Sequence, residues 1–458
     1  MDKFDLFSPL DYRYLSGGLR KRAEIYLSEN ARVHYQAKVE AALVRALSRQ
    51  GVCSKKIALE VEKAAFNIRA EEVYAEEARI KHDVRALANV LRSKVSAQAK
   101  PFVHFSATSY DIVDTASAVR YKEAVLELVV PQLRRLLNIW IKIALREKKT
   151  LQIGRTHGQH AEPITFGFAM ASHVNRLGKA ISNMEYCAQK LEGKCSGAVG
   201  GYNASSILVK NPRKLEKDVM DELGLVSALH STQIVPPESL LDLLHSTIEA
   251  FTVLANFSDD MRHLQRSEIA EIAESFGSDQ VGSSTMPHKR NPINFENVKS
   301  LWKKFMPLMN TFYMDAISEH QRDLTNSASA RFIPELFVAL VVSSERLEKV
   351  CSNLVVDRAA MMANFDSSRE SVVAEPLYLL LAKHGHTDAH EAVRQITLKA
   401  KEKGKTVFET ASQTNGVMEL IQKFSRPELE LLKNPESYIG LCVEKTEEVC
   451  DYWKKRPK

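Results

Sequence analysis

Residues able to do chemistry collect in short polar blocks of this sequence. The densest is GSSTMPHKRNP at 282–292, where a glycine, two serines, a threonine, two prolines and three basic side chains fill eleven positions. Others are LDYRY (10–14), KHD (81–83), HFSATSYD (104–111), GRTHGQHAEP (154–163), GAVGGYNA (197–204), STQIVPPE (231–238) and QRDLTNSASAR (321–331). Taken singly, each reads as a connection between helices, rich in caps and turn formers. Together they hold many of the chain's hydroxyl, imidazole and guanidinium groups, and a fold that gathers several of them makes a polar pocket at helix ends. A formal charge of +6, from 63 basic and 57 acidic residues, fits a mild preference for anionic small molecules.

Long helices must position these blocks. From 236 onward Leu240, Leu244, Ile248, Phe251, Leu254, Phe257, Met261 and Leu264 recur at steps of three or four, which predicts one apolar stripe along a helix. Pro236 and Pro237 suit its start and Gly277 its stop. Similar segments run over 112–149, 164–194, 292–320 and 330–354, with a kink expected at Pro131. Stripes of this length must pack on one another or on neighbouring chains, which predicts a mostly α-helical long-helix bundle. The segment MMANFDSSRESVVAEP reads as a boundary before a shorter, more charged C-terminal part.

Several function classes lose support. The sequence has no GxGxxG, GxxxxGK[ST] or HExxH, and no basic run long enough for a nucleic-acid stripe. The six cysteines lie far apart without a CxxC pair, which argues against a zinc site or a disulfide framework. Eighteen consecutive apolar residues occur nowhere, and the N-terminal MDKFDLFSPLDYRY is charged, so a cytosolic protein away from membranes is expected.

GSSTMPHKRNP resembles the signature GSSxMPxKxNP of the fumarase/aspartase superfamily, whose members eliminate fumarate or a close relative from succinyl-type substrates. MPHKRNP looks like the adenylosuccinate lyase form, and SPLDYRY, KHDV, TSYDI, RTHGQ, GAVGGYNA, TQIVPPE, FENV, QRDLTNS and AEP resemble that family's blocks in the same order. A departure lies at Pro236, Pro237 and Glu238, where many members carry a basic residue and then Asp, and it bears on subgroup more than on reaction.

The resemblance implies a three-domain fold: an N-terminal helical domain (1–110), a central long-helix bundle with the signature loop (111–362) that forms a homotetramer core, and a C-terminal helical domain (363–458). It implies β-elimination of fumarate from succinyl-AMP and from the succinyl-carboxamide imidazole ribotide (SAICAR), giving AMP and AICAR, with no cofactor and no metal. Ser283 resembles the family's base, His157 its acid, and Lys289 is the cation near the base. A serine hydroxyl is a poor base at neutral pH, so Lys289 and the N–H groups of a helix starting near Pro292 are expected to stabilise the alkoxide. Gly282 allows close backbone approach, Pro287 restricts the loop, and Asn291 faces substrate. An imidazole titrating near neutrality can protonate a leaving amine.

Lys81, His82, Asp83, Thr108, Ser109, Thr156 and Gln233 match positions at the substrate, His82 and Asp83 as a pair that orients His157. Arg13, Tyr14, Arg322, Ser327 and Arg331 match substrate contacts suited to phosphate, and a helical turn would put Ser327 and Arg331 on one face. Singly, His157 among fourteen histidines reads as structural and each arginine as a surface ion pair; the matching blocks reverse that order. Alternatives are another lyase or cycloisomerase of the superfamily, such as an argininosuccinate lyase, and a non-catalytic structural protein on the same fold. Sites built from several subunits of the tetramer are expected.

Overall fold

The computed structural model describes residues 8–15, 17–275, 285–286 and 289–456, and these are mostly α-helical. The expected long segments appear, with instructive differences. Residues 109–146 form one helical run whose α-helices Ser109–Ala124 and Val130–Arg146 flank a π-helical turn, Val125–Val129. That wide turn sits just ahead of Pro131, which has no N–H to give the ladder.

The helix Glu238–Leu264 stops well short of Gly277. The polar stretch after it turns back, with Ala270 at φ 54°, and the Glu271 N–H donates to the Leu264 carbonyl. The segment expected as one helix over 292–320 is two, Ile293–Phe305 and Leu308–Asp315, broken at Pro307. Helices Phe166–Gln189 and Ile333–Ser352 complete the long set.

Among the described residues three two-stranded sheets interrupt the helices: β1 (Leu151–Thr156) with β2 (Gln159–Thr165), β3 (Glu192–Gly193) with β4 (Val226–Ser227), and β5 (Ile272–Ala273) with β6 (Val355–Val356). The first corrects the reading of GRTHGQHAEP as a helix connection. It is an antiparallel hairpin with Thr156 opposite Gln159. His157 (φ 53°) and Gly158 (φ 73°) form its turn, both left-handed, as two-residue hairpin loops favour.

The chain divides into two compact units: Met1–Arg135, Lys179–Ala255 and Val298–Arg346 make the first, and Leu136–Gly178, Asn256–Asn297 and Leu347–Lys458 the second. In the first unit the core is built on Glu29–Arg49, which lies against Lys55–Phe66 and Ser109–Ala124. Fully buried Lys194 and Asp111 form an ion pair there, and Asp111 Oδ1 also accepts the N–H groups of Ser196 and Gly197. The pair thus fixes the start of GAVGGYNA. Gly200 (φ +79°) is required in that loop, because a Cβ there would overlap the Ser231 carbonyl oxygen.

In the second unit Trp140 stacks on Phe257 at 4.2 Å between centroids, and Phe295 packs edge-on to Phe257. The Trp453 indole N–H donates to Asn175 Oδ1 (3.1 Å). Glu147 is fully buried and accepts from Thr150, Arg146 and both nitrogens of the Arg358 fork. Burial would raise its carboxyl, but these donors hold it below the usual carboxylate value. A separate helical core in the C-terminal part gathers Leu377, Leu381, Val393, Ile396 and Phe424.

Asp114 in the first unit behaves differently. Burial pushes its carboxyl up to about 6, against the opposing pull of the Val235 N–H, Arg322 and Lys194. A raised carboxyl binds its proton more tightly in the folded chain than in the unfolded one, so stability falls as pH rises from about 4 to about 6 and is level above that. Asp114→Asn abolishes this titration. Melting temperatures across pH should therefore show the variant gaining on the wild type over that window; parallel curves would mean that burial does not penalise Asp114.

Candidate active site

The first unit carries most of the residues expected at the substrate. Arg13 and Tyr14 end a π-helical turn, Leu10–Tyr14, whose Asp11 carbonyl accepts from Arg20 (3.0 Å). Lys81 closes the helix Ala70–Ile80 in a left-handed conformation (φ 57°). His82 caps the next helix, Asp83–Ser93, by accepting the Arg85 N–H on Nδ1 (3.2 Å). Thr108 caps the helix Ser109–Ala124 through a capping box with Asp111. One buried carboxylate therefore serves both the Thr108–Ser109 turn and the GAVGGYNA loop.

Backbone and side-chain bonds bring Thr108, Ser109, Gln233 and Arg322 into one neighbourhood. Asp114 accepts the Val235 N–H (3.0 Å), which ties the 231–238 loop to the helix Ser109–Ala124. The Gln233 N–H donates to the Gln321 carbonyl (3.3 Å). Arg322 lies 4.1 Å from the centroid of the Tyr110 ring, donates to the Tyr110 hydroxyl, and reaches Asn326 Oδ1 (2.8 Å). Its Nε is buried with no partner among the described residues.

Ser327 and Arg331 depart from expectation. Ser327 lies in a turn ahead of the 3₁₀-helix Ser329–Phe332, so no single α-turn puts the two on one face. Both are exposed, and Arg331 stands 3.9 Å from Glu29. His104, which the sequence did not single out, holds the approach to Thr108. Its Nδ1 meets Oε1 of fully buried Glu40 at 2.6 Å, and its N–H donates to the other oxygen (3.0 Å). Burial opposes protonation of His104, but the Glu40 charge outweighs it and raises the imidazole above its ordinary value.

The second unit carries the remaining expected residues. Thr156 and His157 are exposed at the tip of the β1–β2 hairpin. Fully buried Glu271 holds strand β1 of that hairpin through Gln152 Nε2 (2.6 Å) and Arg155 Nη2 (2.6 Å), and Asn364 Nδ2 completes its shell (2.9 Å). Behind the tip, Gly158, His160, Glu162, Ser368 and Glu375 line a cavity of about 590 Å³. His160 Nδ1 meets Ser368 Oγ at 2.6 Å. Burial and the neighbouring Glu162 carboxylate raise Glu375.

Ser283, Gly282 and Pro287 lie outside the described residues. Lys289 is exposed and Asn291 half-buried, just ahead of the helix Ile293–Phe305. The N-terminus of that helix was expected to aim its N–H groups at the loop. Instead, the Asn294 and Phe295 N–H groups donate to Oε1 of buried Glu274 (2.9 and 3.0 Å). Glu271, Glu274, Asp111 and Glu40 were missed because nothing local distinguishes a buried glutamate from a surface one. The one signal available was EIAESF, two acids among apolar residues beside a motif.

The first unit offers a stacked arginine whose buried Nε has no partner among the described residues, together with capped helix starts, groups that suit an anionic substrate; the second offers an exposed imidazole at a hairpin turn, a group that suits proton transfer. The chain is similar in fold to 3-carboxy-cis,cis-muconate lactonizing enzyme from Pseudomonas putida, with a TM-score of 0.82 at 22% identity over 98% of this chain and 99% of that one. It is also similar to fumarate lyase from Mesorhizobium sp. BNC1, with a TM-score of 0.81 at 21% identity over 94% and 97%. Residues 17–306 match the Lyase family, and residues 318–439 match the adenylosuccinate lyase C-terminal family. Sequence similarity is higher to named enzymes: 36% identity to adenylosuccinate lyase of Pyrococcus horikoshii over 97% of both chains, and 34% to that of Archaeoglobus fulgidus over 96% of this chain and 97% of the relative. This chain is accordingly a lyase and belongs to the adenylosuccinate lyase family of the fumarase/aspartase superfamily.

Proposed function

We propose that this lyase splits succinyl-AMP into AMP and fumarate, and SAICAR into AICAR and fumarate, in purine biosynthesis. The observation that carries the reading is the likeness to adenylosuccinate lyases over nearly the whole chain, which includes the complete signature at 282–292. In this reading Ser283 takes the proton from the carbon next to a carboxylate, the electron pair forms the double bond of fumarate, the C–N bond breaks, and His157 protonates the departing nitrogen. Lys289 and Asn291 stabilise the doubly charged aci-carboxylate, a task in which preorganised charge does most of the work. No cofactor or metal takes part.

Arg13, Tyr14, Ser327 and Arg331 take the phosphate. Lys81, His82, Asp83, Thr108, Ser109, Thr156, Gln233 and Arg322 surround the succinyl and base portions. The buried free Nε of Arg322 supports its part, since a ligand oxygen would satisfy it. The enzyme works in the cytosol, a placement supported by five buried thiols among its six free cysteines. It assembles as a homotetramer around the central bundle (111–362), between N-terminal (1–110) and C-terminal (363–458) helical domains. Exposed Tyr186 on the helix Phe166–Gln189, and exposed Tyr313, Met314 and Ile317 on or beside the short helix Leu308–Asp315, are apolar surface that supports such an assembly.

Purified protein should remove the part of the ultraviolet absorbance that N6-succinylation adds to AMP, leaving the spectrum of AMP and fumarate, and should leave argininosuccinate untouched. Ser283→Ala should lower turnover by several orders of magnitude with substrate binding largely kept; retention of more than a few per cent of turnover would move the base elsewhere. Arg331→Ala should raise KM about tenfold or more with little change in kcat, because a phosphate contact is made in ground and transition states alike. An unchanged KM for succinyl-AMP would remove Arg331 from the phosphate set.

Shared sites are the last element of the reading. His157→Ala and Ser283→Ala proteins, each nearly inactive, should regain activity when mixed under conditions of subunit exchange. If mass measurement confirms mixed tetramers while activity stays at the single-mutant level, acid and base come from one chain.

A further inference from the structure

The segment Glu271-Ile272-Ala273-Glu274 carries two buried carboxylates three residues apart. Between them β5 pairs with β6, Ile272 opposite Val356 and Ala273 opposite Val355, and the Asp357 N–H donates to the Glu271 carbonyl (2.9 Å). Side chains alternate along a strand, so residues three apart point to opposite sides. The two glutamates accordingly serve different parts of the second unit.

Glu271 accepts from Gln152 and Arg155 of β1 and from Asn364, with no surface left to water. Arg155 is two residues before His157, and the turn between β1 and β2 is only His157 and Gly158. The residue that Glu271 holds therefore lies next to the turn, and its position bears directly on that of His157. Glu274 accepts the Asn294 and Phe295 N–H groups on Oε1 and the Asn294 amide on Oε2 (2.6 Å). Its own N–H donates to Gln265 Oε1 (3.0 Å), and the Gln265 amide donates to the Arg290 carbonyl (3.3 Å), between Lys289 and Asn291.

We propose that Glu271–Glu274 is a common mount for the reaction, in which Glu271 is the positioning residue for His157 and Glu274, with Gln265, the positioning residue for Lys289 and Asn291. The proposal rests on the functional reading above, in which His157 is the acid and Lys289 the loop cation. Rigid backbone pairing in β5 and two saturated carboxylate shells give both groups one reference frame. A glutamine at either site keeps the shape but turns one acceptor oxygen into a donor that faces N–H groups.

The test is a pair of double-mutant cycles on the full-length enzyme with succinyl-AMP, each protein checked by circular dichroism. Glu271→Gln and Glu274→Gln should each lower kcat about tenfold to a hundredfold with KM within about twofold, as expected when a reacting group is displaced by about an ångström. In a His157→Ala background, Glu271→Gln should cost less than about twofold more, and in a Lys289→Ala background Glu274→Gln likewise, whereas the crossed pairs keep their full single-mutant factors. A residue that merely stabilises the fold would give full factors in every background, and that result, or unchanged kcat in both single variants, overturns the proposal. If either glutamine variant fails to fold, Asn364→Ala replaces Glu271→Gln and Gln265→Ala replaces Glu274→Gln, under the same expected couplings. Wild-type protein inactive on succinyl-AMP would instead refute the functional reading, and the mount with it.

Discussion

A carboxylate without access to water must find its hydrogen-bond donors inside the protein, and that requirement organises this structure. Glu40, Asp111, Glu147, Glu216, Glu271 and Glu274 are all buried, and each accepts hydrogen bonds from other segments of the chain. Glu40 takes the N–H and ring of His104; Asp111 takes Thr108, Lys194, Ser196 and Gly197; Glu216 takes the Cys195 N–H and the Tyr202 hydroxyl. Glu147 and Glu271 hold opposite ends of β1, and Glu274 holds the start of the helix Ile293–Phe305. Removing one acceptor would strand several buried donors at once, a larger penalty than the loss of one average hydrogen bond. Polar segments that would otherwise be mobile loops are thereby fixed to helices and to β5.

In the proposed function the elimination uses no cofactor, and fixed loops bear directly on it. The barrier to such a reaction must fall through charges and dipoles already in place, and groups that reorganise during the reaction lose that advantage. The same blocks hold most of the non-glycine residues with positive φ: Lys81, His104, Ser106, His157 and Tyr202. Such conformations are costly and persist where surrounding bonds overdetermine them. In the hairpin, the left-handed turn at His157 is held by the register of β1 and β2 and by Glu271 beneath it. In the first unit, Arg322 is held flat on Tyr110 while its Nε stays free among the described residues.

The helices were legible in the sequence because their apolar stripes carry a clear period. The stripe from Leu240 to Leu264 became Glu238–Leu264, and its end was misjudged because Gly277 is a stronger local stop than the polar turn that precedes it. Within 292–320 the break falls at Pro307, where the missing N–H outweighs the helical pattern around it. The hairpin was not legible: β1 and β2 have no clean alternation, and their turn is His-Gly in place of the commoner Asn-Gly. Among site residues, those inside motif blocks could be named at once. Their supports could not, because burial of Glu271 or Glu40 depends on partners more than sixty residues away in sequence, Gln152 and His104 among them.

The most direct single measurement is a crystal structure of the enzyme with AMP and fumarate bound. The AMP phosphate should lie against Arg13, Tyr14, Ser327 and Arg331, and fumarate within hydrogen-bond reach of Lys289 and Asn291. The His157 ring should stand beside the amine nitrogen, with the Glu271 and Glu274 bonds intact. Products bound away from these residues, or His157 turned from the nitrogen with its hairpin still in place, would contradict the proposed function.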